Sequence, residues 1–233
     1  MHEEVRRQEA VTVLYLFDID GTLLHAHGSG RGAFDAIMRE RHGIAEASEG
    51  IRYGGKTDPQ IVDEIFVARL GRRATAEERD GFLDAYVPRL ERLIGDHGVR
   101  VLDGVVETLE FLAALPPRRV RLGVATGNIR RGAQVKLEAA GLAGWFDCGG
   151  YGCDSAVRSE LVARAIDRGR EGHDVTEVIV VGDTIHDIAA ARACNATVVG
   201  VATGSDTADE LAAADTVLRS MTELPTWHAA RFG

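Results

Sequence analysis

Cysteine is scarce in this chain. Three occur in 233 residues, Cys148, Cys153 and Cys194. An odd number at irregular spacing excludes a disulfide framework. Cys148 and Cys153 make half of a zinc ligand set and no second pair completes it, so the three read as buried free thiols. Long apolar runs are missing too. No window approaches the roughly 18 consecutive apolar residues needed to span a bilayer. The stretch Met1-His2-Glu3-Glu4-Val5-Arg6-Arg7 lacks the apolar centre of a signal peptide. These absences predict a reduced, cytoplasmic protein with no membrane partner. Positive charge is in short supply, with 27 Lys and Arg against 36 Asp and Glu and a formal charge of −9. That balance excludes a non-specific nucleic-acid binder, which would need clustered Lys and Arg. It leaves room for a local positive pocket around a small phosphorylated ligand. Internal repeats, low-complexity segments and long linkers are absent as well.

What is present is 45% apolar and 27% charged sequence, the composition of a globular protein. Its length suits one large domain or a core with a smaller appendage. Short apolar runs at Val11–Phe17, Val120–Ala125, Val178–Val181 and Thr197–Val201 read as buried parallel strands. Weaker ones surround Phe146 and cover Thr216–Leu218. Helical patterns separate them over Gly104–Leu115, Arg131–Ala140, Ser159–Arg168 and Asp187–Ala193. This alternation predicts an α/β fold, a three-layer Rossmann-like core around a parallel sheet. Residues 25–98 interrupt it with helical stripes and no convincing strand. Asp58-Pro59 reads as an N-cap and first-turn proline, Thr75-Ala76-Glu77-Glu78 as a capping box, and Pro88 as a kink. The expected organisation is a core of residues 1–24 and 99–233 with an all-helical cap of residues 25–98 inserted after the first strand.

Parallel sheets bind ligands beyond the carboxyl ends of their strands, so the polar residues after each run carry the chemistry. Asp18 and Asp20 follow the first, Thr126-Gly127-Asn128 the second, and Gly182-Asp183-Thr184 with Asp187 the run Val178–Val181. Taken singly, these are a solvated turn, a helix cap and a capping acid. Taken together, they place acids and a hydroxyl at converging strand ends. Asp18 is the candidate nucleophile toward phosphorus. Alternation puts Asp20 on the same side, as the acid that protonates a leaving oxygen and then activates water. Gly21 lets the chain turn with its N–H groups toward phosphate, and Thr126, read as starting a helix, binds a phosphate oxygen with Gly127 and Asn128. A hard oxygen site with few carboxylates suits Mg²⁺. Asp18, Asp183 and the Asp20 carbonyl are the candidate direct ligands, and Asp187 holds a metal-bound water.

The segments Asp18-Ile19-Asp20-Gly21-Thr22-Leu23, Ala125-Thr126-Gly127-Asn128 and Gly182-Asp183-Thr184-Ile185-His186-Asp187-Ile188 resemble the motifs of the haloacid dehalogenase-like hydrolases, close to their phosphoglycolate phosphatase-like members. The resemblance extends over nearly the whole chain and implies an Mg²⁺-dependent phosphatase acting on a small phosphate monoester, with phosphoglycolate the first substrate to try. It also implies a lysine between the second and last motifs, and residues 143–176 contain none. Arg158 stands nearest that place and is the candidate replacement, able to bridge carboxylate and phosphate. Lys136, one turn before Gly141, is the runner-up, with an exposed helix lysine the favoured reading for it. In the insertion, Tyr53-Gly54-Gly55-Lys56-Thr57-Asp58 is the polar, glycine-rich element, with Lys56 the candidate contact to the far end of an anionic substrate. His25 and His27 fall at the expected hinge. The alternative functions are a phosphosugar mutase on the same scaffold and a non-catalytic metal- or ligand-binding regulator. The expected partner is a small phosphorylated metabolite, with the protein a monomer or homodimer.

Overall fold

The computed structural model describes residues 12–116 and 120–233. Val11 and the Met1–Arg7 stretch lie outside the described residues. The first half holds β1 (Val13–Phe17), β2 (Leu24–His25), α1 (Ser29–His42), α2 (Asp58–Leu70), α3 (Ala76–His97), β3 (Arg100–Val101) and α4 (Val105–Ala114). There follow β4 (Val120–Thr126), α5 (Arg130–Ala139), β5 (Cys148–Tyr151), α6 (Arg158–Arg170), β6 (Glu177–Gly182), α7 (Ile185–Ala193), β7 (Thr197–Val201), β8 (Thr216–Leu218) and α8 (Leu224–Phe232). The six long-range strands form one parallel sheet in the order β5-β4-β1-β6-β7-β8. The chain steps outward from β1 to β4 and β5, then returns to lay β6, β7 and β8 on the other side. The reversal beside β1 is the switch point where such sheets bind ligands.

Strand β1 shows why the core has three layers. All five of its residues are buried. Val13, Tyr15 and Phe17 pack on one face with α4, α5 and α8, and Leu14 and Leu16 pack on the other with α6 and α7. Each fully buried Leu or Phe stabilises the fold by about 1.5–3 kcal/mol. Helices α1 to α3 lie between β2 and β3, which pair antiparallel. Their interior is aromatic, with Phe34 against Phe82 and Tyr86, and Phe82 against Phe66.

Several local readings shift. The N-cap of α2 is Thr57, not Asp58. Thr57 Oγ1 accepts from Gln60 N, and the Gln60 side chain accepts from Thr57 N, which puts Asp58 in the first turn ahead of Pro59. The Thr75–Glu78 capping box forms as expected. Pro88 sits within α3, which continues unbroken to His97. Thr126 closes β4 rather than starting a helix, and α5 begins at Arg130. The strand expected around Phe146 lies just after it. The three thiols are free as predicted, but Cys153 is exposed and the other two only partly buried.

Candidate active site

Four strand ends build the site. Asp18, the residue after β1, donates its N–H to the Val181 carbonyl at 2.9 Å, so the sheet itself fixes its position. The chain then turns at Gly21 with φ of 83°, and a Cβ there would meet Asp183 Oδ2 at 2.6 Å. Only glycine suits both the left-handed backbone and that approach. Asp183, at the end of β6, accepts from Thr22 Oγ1 at 3.1 Å and from the Ser205 N–H at 2.8 Å. Ser205 belongs to the loop after β7. Sequence reasoning read Thr197–Val201 as a strand but did not inspect its carboxyl end, where Thr203-Gly204-Ser205 follows. Asp187, in the first turn of α7, forms a reciprocal cap with Thr184 through Oδ2. It is therefore both the capping acid and a member of the acidic cluster.

Asp18, Asp183 and Asp187 are buried and each offers a carboxylate oxygen within 4.8 Å of the others'. Arg158, at the start of α6, stands among them. Its Nη2 lies 2.8 Å from Asp18 Oδ2 and 2.5 Å from Asp187 Oδ1, and its Nε donates to the same Asp187 oxygen at 3.0 Å. A single guanidinium does not balance three acids. Burial, partly offset by Arg158 and reinforced by Asp187 and Asp20, raises Asp18 to about 6. Burial, then Asp18 and Asp187, raise Asp183 to about 8. Two carboxyls pushed toward their neutral forms mark a cluster short of positive charge. A divalent cation among hard oxygen donors fits that deficit.

Asp20 is attended from the opposite layer. Lys136, on α5, is only 4% exposed, not the surface lysine expected. Its Nζ donates to Asp20 Oδ2 and to Asn128 Oδ1, each at 2.6 Å. Asn128 Nδ2 donates to the same Asp20 oxygen at 2.7 Å and to Thr126 Oγ1 at 2.8 Å. Burial works to raise the Asp20 carboxyl. The Lys136 charge and the hydrogen bonds from Lys136 and Asn128 outweigh it, and the group sits below its ordinary range. Sequence spacing offered one clue to Lys136, since Ala133, Lys136 and Leu137 share the helix stripe that faces the core.

A cavity of about 560 Å³ joins these groups to the helical insertion. Asp18, Asp20, Thr126, Gly127, Asn128, Lys136 and Arg158 line it from the core, and Phe34, Tyr53, Tyr86, Asp58 and Ile61 from the insertion. The 53–58 loop is held against the core at several points. Arg158 Nη1 donates to the Gly55 carbonyl at 3.1 Å, Asp58 N to the Gly127 carbonyl at 2.8 Å, and Ile129 N to Asp58 Oδ2 at 2.8 Å. Arg52 pairs with Asp206. Gly54 and Gly55 do make close approaches, to Ser205 and His186. Lys56 lines the cavity, yet its Nζ is 2.5 Å from Glu64 on α2. Asp58, unassigned from sequence beyond capping, is raised to about 6 by burial, against the pull of Lys136. His25 lies in β2 and His27 in the connection to α1, with a positive φ of 47°.

This is the geometry of a phosphoric monoester hydrolase: an acid pair beyond a central strand, the first acid buried and the second open to the cavity, with cations on both flanks and an acidic cluster alongside. The family model for haloacid dehalogenase-like hydrolase matches residues 13–195, and the chain belongs to that family. The "Probable phosphatase IndB" of Dickeya dadantii is 30% identical over 213 residues, spanning 87% of this chain and 86% of that protein. The fold is shared with CbbY from Rhodobacter sphaeroides, solved in complex with phosphate. That match has a TM-score of 0.72 and 19% identity, and covers 92% of this chain and 96% of the other. A hydrolase from Pseudomonas syringae superposes with a TM-score of 0.69 at 24% identity, over 96% and 99% of the two chains. Among the described residues, no helix is long and apolar enough to cross a membrane.

Proposed function

We propose that the protein hydrolyses a small phosphate monoester, phosphoglycolate-like in size, through an aspartyl phosphate on Asp18, with Mg²⁺ as its cofactor. The observation that carries this reading is the Asp18–Asp20 pair itself. Arg158 meets Asp18 at 2.8 Å, and Lys136 meets Asp20 at 2.6 Å, within one cavity. Asp18, Asp183 and Asp187 would hold the Mg²⁺, together with the Asp20 carbonyl. When bound, it supplies positive charge that offsets the repulsion between the acids and an incoming phosphate.

Arg158 occupies Oδ2 of Asp18 and leaves the other oxygen to attack phosphorus. The Thr126 hydroxyl and the N–H groups of Gly21, Gly127 and Asn128 are the candidate partners of the phosphate oxygens. Asp20, ionised in the free site, takes up a proton from the monoanionic ester as it binds, gives it to the departing ester oxygen, then takes one from the water that cleaves the aspartyl phosphate. Residues 25–98 act as the cap that excludes bulk water while the phosphoryl group is in transit. Lys56 serves the far end of the substrate by exchanging Glu64 for it. That exchange is cheap, because a partly exposed ion pair is worth only about 0–1 kcal/mol.

The test is phosphate release from p-nitrophenyl phosphate with and without Mg²⁺, on wild type and Asp18→Asn. Release by wild type that needs Mg²⁺ and falls to background in the variant supports the reading. Equal release from both proteins overturns it. Product analysis with a phosphosugar separates hydrolysis from transfer to a second hydroxyl. Thermal stabilisation by Mg²⁺ and a phosphate mimic without turnover identifies a regulator instead.

A further inference from the structure

The chain carries two lysines, Lys56 and Lys136, so 25 of its 27 basic residues are arginine. The one placed in a buried slot sits where a compact ammonium fits and a planar guanidinium has no matching fork. Lys136 Nζ touches Asp20 Oδ2 and Asn128 Oδ1, and Asn128 Nδ2 returns to the same Asp20 oxygen, which closes a triangle. Both donors use Oδ2. Asp20 Oδ1 has no hydrogen-bond partner among the described residues, and the Asp20 side chain is 45% exposed, toward the cavity. Arg158 already supplies the cation beside the nucleophile, from the opposite layer. Lys136 is therefore an additional charge with a different client.

The geometry points to Lys136 as a positioning residue for proton transfer: with Asn128 it pins one oxygen of Asp20 so that the other faces the leaving group. This rests on the phosphatase reading and adds the control of its acid. As the P–O(ester) bond breaks and the Asp18–phosphorus bond forms, Asp20 Oδ1, ionised in the free site, passes to the departing oxygen a proton taken up from the monoanionic ester as it binds. An alkoxide is a poor leaving group and needs that proton, whereas p-nitrophenolate departs without it. An Asp20 free to rotate therefore penalises alkyl esters selectively.

The experiment compares kcat/KM, which reports the steps up to departure of the leaving group, on β-glycerophosphate and p-nitrophenyl phosphate. It uses Lys136→Gln, Asp20→Asn, the double variant and Asn128→Ala. General acid catalysis contributes about 10²–10⁴-fold. Lys136→Gln is expected to lose at least about tenfold more on the alkyl than on the aryl ester. In an Asp20→Asn background it should cost nothing further, because it acts through that carboxyl. Asn128→Ala, which removes a donor to the same oxygen without removing a charge, should show the same selectivity at smaller size. Equal losses on the two esters, or an added loss in the double variant, overturn the role of Lys136 and leave the phosphatase reading standing. A wild type inactive on both esters overturns both.

Discussion

Replacing Arg158 by methionine removes a positive charge from the acid cluster while keeping a stem of similar reach. The Arg158 side chain is 9% exposed, and its partners Asp18 and Asp187 are 8% and 2% exposed. Breaking a buried pair by deleting one partner costs about 3–5 kcal/mol, because the remaining charges are left uncompensated. Here the low end applies. Asp18 and Asp183, already raised to about 6 and about 8, relieve part of the repulsion by taking up protons. A loss of about 3 kcal/mol in a chain of this size lowers Tm by roughly 6–12 °C. The assay is thermal unfolding at pH 7 in a chelator, repeated with excess Mg²⁺. The gap between the proteins should narrow with the ion, which replaces the missing charge among the same oxygens. Equal Tm values in chelator, or a gap that widens with Mg²⁺, would refute the charge-balance argument. Arg158→Lys separates charge from reach. It should recover most of the stability yet stay well below wild type in kcat, since one ammonium cannot serve Asp18, Asp187 and the Gly55 carbonyl in the same geometry.

Metal-free protein should lose stability as pH rises. Asp18, Asp58 and Asp183 all have folded pKa values above their ordinary 3.8. The folded state therefore binds more protons than the unfolded chain from about pH 4 up to about pH 8, and the stability present below that window is lost across it. A Tm in chelator that rises from pH 5 to pH 8 contradicts this. Asp58→Asn should raise Tm at neutral pH and have little effect near pH 4. A carboxyl lifted from 3.8 to about 6 costs up to about 3 kcal/mol at pH 7, and the amide oxygen can still accept from Ile129. Gly21→Ala should lose about 1–3 kcal/mol from its positive φ and weaken Mg²⁺ binding by displacing Asp183; calorimetric titration with unchanged affinity would count against that contact. Lys56→Ala should raise KM with kcat unchanged, and Glu64→Gln, which frees the ammonium, should lower it. No change in either variant removes Lys56 from the substrate site.

The cations of the site were the hardest part to read. Arg158 could be nominated from its place in the chain, but its contact with Asp18 depends on how α6 docks on the sheet. Lys136 was read as exposed although it shares the stripe of Ala133 and Leu137 on α5; the stripe hinted at its direction, and only the docking of the helix brought its ammonium to Asp20. The 202–206 loop was overlooked because its ligands to Asp183 and its pairing with Arg52 are made across the fold. Asp58 looked like a cap, and Thr57, one residue earlier, took that role because its hydroxyl reaches Gln60.

By itself the sequence determined the α/β alternation, the helical insertion, and the acids and hydroxyl that end β1, β4 and β6. These follow from local rules, since burial on both faces forces continuous apolar strands and a polar residue can appear only where the strand emerges. Tertiary structure decided which cation meets which acid. Arg158 came to Asp18 from one layer and Lys136 to Asp20 from the other, because α6 and α5 pack on opposite faces of the sheet while both acids open into the same cavity. No rule confined to neighbouring residues carries that information across more than a hundred positions of chain.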